Sequence, residues 1–138
     1  MSEWFADEAF WETLYPFLFP QERFEAADEQ VEKILRLVEF AGRDVLDLCC
    51  GPGRHSVALA RRGLAVTGVD RSPFLLAKAK ERALAAEVTV NWVAEDMRRF
   101  VRPKAFDLAL SLFTSFGYFP DPEDDLRVLR NIRANLRD

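Results

Sequence analysis

The sequence predicts an α/β fold, an open parallel sheet layered between helices. Three observations carry this. From about residue 44 onward, short apolar runs alternate with amphipathic helical stretches. Turn residues punctuate each change of rhythm. The unusual residues, acids and glycines above all, collect at the carboxyl ends of the apolar runs, where sheets of this kind bind ligands.

The elements follow in order. Residues about 7 to 19 read as helical, with Phe10, Trp11, Leu14, Tyr15 and Leu18 spaced as an apolar stripe that Pro16 and Pro20 disturb. A second helix is predicted from Ala27 to Phe40, with Val31, Ile34, Leu35 and Val38 on one face and Gly42 as its stop. Residues 1–41 thus read as an N-terminal helical segment and 42–138 as a separate ligand-binding domain.

In that domain DVLDLCC is a short strand, apolar enough for both faces to be buried. GPG is a turn, and RHSVALARRG is a helix closed by Gly63. AVTGVD is a second strand; SPFLLAKAKERALAA is a helix with Ser72 as N-cap and Pro73 at its first position. VTVNWV is a third strand, AEDMRRFV an irregular crossover and FDLALSLF a fourth strand. After the aromatic loop FTSFGYFPD, a last helix starts at Pro122 with Asp121 as its cap. Strand–helix alternation requires right-handed crossovers and places helices on both faces of the sheet.

The 138 residues suit one core; 49% are hydrophobic and 30% charged. No apolar run approaches the roughly 20 residues that span a bilayer. The N-terminus is aromatic but acidic, unlike a secretory signal, so a cytoplasmic protein with no membrane contact is expected. A net charge of −4 argues against nucleic acid as the main partner. Arg127, Arg130, Arg133 and Arg137 recur at helical spacing and read as a solvated face. Cys49 and Cys50 are adjacent and the chain has one histidine, so no metal site is expected and both cysteines read as small buried residues.

The stretch VLDLCCGPGRHS carries the chemistry. Gly51 and Gly53 permit a tight turn and close approach of a ligand, with a helix N-terminus behind them. From Gly51 the row reads G-P-G-R-H-S, so a dinucleotide fingerprint is only two-thirds matched. Asp47 precedes the turn. A carboxylate there repels a pyrophosphate and attracts an ammonium or sulfonium; alternatively it accepts hydrogen bonds from the loop. Asp70 ends the second strand and can accept from ribose hydroxyls, or cap the next helix. Asp96 follows the third strand and can accept from an adenine amino group, or be a solvated loop acid.

With these residues the pattern resembles the class I S-adenosylmethionine-dependent methyltransferases. VLDLCCGPG is similar to their first motif, D-x-G-x-G-x-G, with VTGVD, AEDM and FDLALSLF as the second to fourth. The resemblance runs from about Val31 to Asp138. It implies a three-layer Rossmann-like sheet in the order 3-2-1-4. It implies that Asp47, Cys49, Gly51 and Gly53 line the methionine part of S-adenosyl-L-methionine, and that Asp70, with Arg71 beside it, holds the ribose. Asp96 and Met97 would flank the adenine, with Leu112 and Phe113 near the transferred methyl. Cys49 stands where the motif has its first glycine. The family's sheet has seven strands; this sequence supplies four and offers no residues for a fifth, so the expectation is either a piece of a longer protein truncated after the fourth strand or a sheet completed by another chain, the open fourth strand inviting a homodimer.

Methyl transfer from a sulfonium needs positioning and desolvation more than acid–base help. His55, Tyr15 and Tyr118 are the candidate bases, His55 reading more readily as structural. Tyr15, Ser115 and Tyr118 are candidate substrate contacts. FTSFGYF suits an apolar or aromatic acceptor, or a cation held against rings, or simply packs. Its lack of an N-P-P-Y type motif counts against base or glutamine amines as acceptors. Phe10, Trp11, Tyr15 and Phe17 form either a lid or sheet packing. The expected function is therefore methyl transfer to a small molecule. The alternatives are a cofactor-binding module without turnover and, disfavoured by Asp47, a dinucleotide-dependent oxidoreductase.

Overall fold

The computed structural model describes residues 3–112 and 116–138. Among them a four-stranded parallel sheet runs in the order β3-β2-β1-β4. Its strands are β1 (Asp44–Leu48), β2 (Ala65–Asp70), β3 (Asn91–Ala94) and β4 (Leu108–Leu110). The helices are α1 (Glu8–Leu18), α2 (Gln21–Leu37), α3 (Arg54–Arg61), α4 (Pro73–Ala85) and α5 (Pro122–Asn135). The predicted fold class and strand order are both found.

β1 is central. It pairs with β2 from Asp44–Ala65 to Leu48–Val69, and with β4 from Val45–Leu108 to Asp47–Leu110. Its side chains alternate between two cores. Leu46 and Leu48 join Phe5, Val69, Phe106 and Val128 on the face that α5 covers. Val45 joins Ala27, Val31, Ala58, Leu59 and Val66 on the face that α2 and α3 cover. Both faces of β1 are sealed, which explains its nearly unbroken apolar run.

Several predicted bounds shift. α2 spans Gln21–Leu37 in place of 27–40. The apolar stripe starts at Ala27, but the polar turn before it is helical too and begins directly after Pro20, while Val38 is already extended. Gly42 therefore does not stop the helix; with φ +112 it makes room for Asp107, whose carboxylate lies where a Cβ would stand. β3 starts later and β4 is shorter than predicted, three residues long. Phe106 leaves the β1 ladder and forms a parallel bridge with Leu136, reinforced by Arg137 N–H to Phe106 O at 2.8 Å. That rung lies on the far side of β4, so its edge is not wholly open and Leu136 makes the strand contact for which no residue was foreseen. The predicted caps hold: Ser72 Oγ accepts from Leu75 N and the Asp121 carboxylate accepts from Glu123 N.

The amino ends of β1 and β4 are clasped by Asp107. Its carboxylate accepts from the amides of Arg43 and Asp44 at 2.9 and 3.0 Å and from the Arg137 guanidinium at 2.8 Å. These bonds, that from Asp44 first, hold its carboxyl below the ordinary range. Gly42→Ala is expected to displace Asp107 and cost about 3 kcal/mol. Gly63→Ala, also at positive φ but facing open space, is expected to cost only about 1 kcal/mol. Urea unfolding of the two variants measures the contrast.

Candidate cofactor site

Parallel pairing brings the carboxyl ends of the four strands to one edge, and a cavity of about 480 Å³ opens there. Asp47, Cys49, Gly51, Asp70, Arg71, Asp96, Met97, Leu112 and Tyr118 line it. The sheet thus gathers most of the residues singled out from sequence. Gly53 does not line the cavity. Tyr15 does not either; its ring meets Phe19 and Phe74 instead. Phe113 and Ser115 lie outside the described residues.

The turn after β1 is built on left-handed backbone. Gly51 and Gly53 have φ +56 and +80, and Gly53 is the N-cap of α3. Cys49 also has a positive φ, +61. The departure from the glycine motif therefore bears on the backbone as well as the side chain, because a Cβ in this region costs roughly 1–2 kcal/mol. Cys49 Sγ meets Met97 Sδ at 3.3 Å, which ties the turn to the residues after β3. Burial pushes the thiols of Cys49 and Cys50 well up, so neither is a nucleophile.

Asp47 is buried at 3% exposure. Its Oδ2 accepts from Ser56 Oγ at 2.6 Å, a helix hydroxyl and not the loop amides considered from sequence. Burial raises its pKa from 3.8 to about 6, against the pull of Ser56. Ionised near neutrality, it is an underpaired buried anion, a site that a cation completes. In the ligand-free chain this group favours folding fully below pH 3.8 and loses that contribution as pH rises through 6.

Asp70 accepts from Gly51 N at 2.8 Å and from Ser72 N at 2.9 Å. It fixes the glycine turn against β2, while Ser72 caps α4. Burial outweighs these amides and pushes its carboxyl above the ordinary value. Asp96 is held differently. Arg98 grips it from both nitrogens, Nε to Oδ1 at 3.0 Å and Nη2 to Oδ2 at 2.6 Å, and Arg71 lies 3.4 Å away. Burial raises its pKa, but Arg98 more than offsets this and holds the carboxyl below the ordinary range. The acceptor capacity foreseen for an adenine amino group is largely taken up by Arg98.

His55, in the first turn of α3, is buried, with Nε2 2.9 Å from Gln30 Oε1. Burial, with Arg54 next to it, lowers its pKa to about 4, so it is a weak base at neutral pH. Sequence reasoning missed Trp4, Phe5, Arg23 and Arg54 on the cavity wall. Arg54 adjoins the glycine turn and was open to reading; Arg23 sits on α2 and had no local signal. Phe10 and Trp11 line the cavity as the lid reading expects, whereas Phe17 points to solvent.

A family model described as a methyltransferase domain matches residues 45–138. The chain belongs to the methyltransferase-domain family. It is 30% identical over 109 residues to a ubiquinone biosynthesis O-methyltransferase of Coxiella burnetii, covering 78% of this chain and 45% of that protein. The PH0226 protein of Pyrococcus horikoshii superposes with TM-score 0.71 at 28% identity, over 89% of this chain and 57% of that one. A tRNA (uracil-54, C5)-methyltransferase of Pyrococcus abyssi, solved with S-adenosyl-L-homocysteine, superposes with TM-score 0.63 at 26% identity, over 79% and 26%. The methyltransferase domain described here spans about half the length of the curated relatives it matches.

Gly68 supports the site from below. An added Cβ would lie 2.5 Å from the Trp92 ring, which also packs against Gly53. Gly68→Ala is expected to push Trp92 off the turn, costing roughly 1–3 kcal/mol and shifting tryptophan emission. Unchanged stability and emission would contradict this packing.

Proposed function

We propose that this chain is the S-adenosyl-L-methionine-binding part of a methyltransferase acting on a small molecule. The observation that carries the proposal is the pairing of two carboxylates, buried Asp47 and half-buried Asp70, on the wall of one cavity with the left-handed glycine turn between them. Two acids there repel a pyrophosphate and suit a ligand with an ammonium group and ribose hydroxyls. The turn fits close approach: Gly51 lines the cavity, and the nearest atom to an added Cβ is a Phe19 ring carbon at 3.9 Å.

Bound there, S-adenosyl-L-methionine supplies a methyl group already activated on sulfur. The chain's residues then position it and exclude water. Asp47 faces the ammonium, and Arg54 and Arg23 stand at the same end for the carboxylate. Asp70 holds the ribose hydroxyls, with Arg71 next to it. Met97 and Leu112 wall the adenine and the sulfur, and Asp96 keeps Arg71 and Arg98 oriented. Phe113 and Ser115 retain their proposed places near the methyl and the acceptor. The division into a helical segment of residues 1–41 and a binding domain of 42–138 is part of the same proposal.

An apolar or aromatic acceptor suits Phe10, Trp11 and Tyr118, which all line the cavity. The net charge of −4 favours a small molecule over nucleic acid. No helix among the described residues is long and apolar enough to cross a membrane, and two free thiols suit a reducing cytoplasm. The outer edge of β4, which among the described residues carries a single rung at Phe106–Leu136, leaves room for a second copy to pair, so a homodimer of this 138-residue chain is part of the proposal. Light scattering at high concentration that finds only monomer would contradict it. Relatives about twice as long favour one further possibility, that this stretch alone binds cofactor without turnover.

Calorimetric titration tests the cofactor. S-Adenosylhomocysteine is expected to bind and NAD not to, with Asp70→Ala weakening binding at least about tenfold. Equal binding of both ligands, or no effect of the substitution, would contradict the proposal.

A further inference from the structure

A second cavity, of about 380 Å³, opens at the opposite edge of the sheet, where β1, β2 and β3 begin. Asp44, Ala65 and Asn91, the first residues of those strands, line it together with Thr67, Arg102 and Phe106.

The strand register explains its floor. Leu46 is aligned with Thr67, and Thr67 with Asn91. Paired residues of neighbouring strands point to one side of a sheet. Leu46 points into the core that Phe106 shares, so Thr67 and Asn91 continue that face outward as polar residues. α3 and α4 cover the other face of β2 and β3. On this face the connection from β3 to β4 contains no helix among the described residues, and its irregular backbone brings Arg102, Ala105 and Phe106 to the cavity.

The polar groups gathered there lack partners. Thr67 is only 7% exposed, yet among the described residues its hydroxyl has no hydrogen bond, nor has the Asn91 amide side chain, and no acid pairs with Arg102. A buried hydroxyl without a partner costs free energy that a ligand acceptor offsets. The Arg102 guanidinium lies 5.3 Å from the Phe100 ring centroid, a contact that leaves its N–H donors available. The Asp44 carboxylate, by contrast, accepts from Arg137 at 2.9 Å. The charge left unanswered in the cavity is therefore positive.

We propose that this cavity is a second ligand site, for a small organic monocarboxylate with an apolar body. The carboxylate pairs with Arg102 and accepts from Thr67 and Asn91, and the body lies on Ala105 and Phe106. A planar carboxylate matches the guanidinium fork. One arginine, with no helix starting among the lining residues, suits a single negative charge better than the higher charge of a phosphate. The site stands apart from the cofactor reading, because the two cavities share no lining residue.

Amide NMR titration of the full chain with benzoate tests the site, with benzamide and inorganic phosphate as comparisons. Benzoate is expected to shift the amides of Thr67, Asn91 and Phe106 with a Kd of about 1 mM. Benzamide and phosphate are expected to bind at least about tenfold more weakly. Arg102→Gln is expected to weaken benzoate at least about tenfold, and Thr67→Val, which keeps the branched shape, about threefold. Lys104→Gln, which removes a neighbouring exposed cation paired with Asp138, is expected to leave binding unchanged. Benzamide binding as tightly as benzoate would overturn the carboxylate assignment, and phosphate doing so would overturn the organic acid. Unchanged benzoate binding in Arg102→Gln or Thr67→Val, or no amide shift at about ten times the expected Kd, would overturn the site itself.

Discussion

Parallel pairing of β1 with β2 on one side and β4 on the other is the constraint on which the rest of this structure depends. It sends every strand end to the same edge, so residues distant in sequence meet there. Asp47 and Asp70 are brought together because the register aligns Asp47 with Gly68, two residues before Asp70. β1 is buried on both faces, so Asp47 near its end is largely stripped of water, and Asp70 at the end of β2 is partly so. Desolvation raises the pKa of both, and that cost is tolerated where a ligand bearing positive charge and hydroxyls completes the site.

The same edge concentrates backbone strain. Cys49, Gly51 and Gly53 all take positive φ within five residues. This bends the chain sharply enough to start α3 directly under the cavity, with Ser56 reaching back to Asp47. Gly68 matters for a different reason: it leaves room for Trp92, which stacks below the turn and supports Gly53 from the sheet side. The turn, the two acids and the aromatic ring beneath them behave as one packed unit, with Asp70 bonded to the Gly51 amide as its pin.

Much of this was legible in the sequence because it depends on local rules. Alternation of apolar runs with helical stretches exposed the strands, Ser72 and Asp121 exposed the caps, and the acids before the glycine turn pointed to a positively charged ligand. What was not legible came from tertiary contacts. The start of α2 at Gln21 lies outside its apolar stripe, and Gly42 serves Asp107, 65 positions away, in place of ending a helix. Arg98 takes up Asp96, an effect of side-chain reach that no spacing reveals. Arg23, Trp4 and Phe5 reach the cavity only because α1 and α2 fold back over the sheet edge. Glu3 is the plainest case: an ordinary surface acid by sequence, it bridges Arg71 and Arg98, which follow different strands.

The central claim is that a buried carboxylate under the glycine turn awaits a cation, and carboxyl-carbon NMR titration of Asp47 tests it most directly. Without ligand its pKa is expected near 6; saturating S-adenosylhomocysteine, whose ammonium would lie against it, is expected to lower that value by about one unit or more. A pKa already at the ordinary aspartate value, or one that ligand leaves unmoved, would contradict the assignment of Asp47 to the cofactor's charged end.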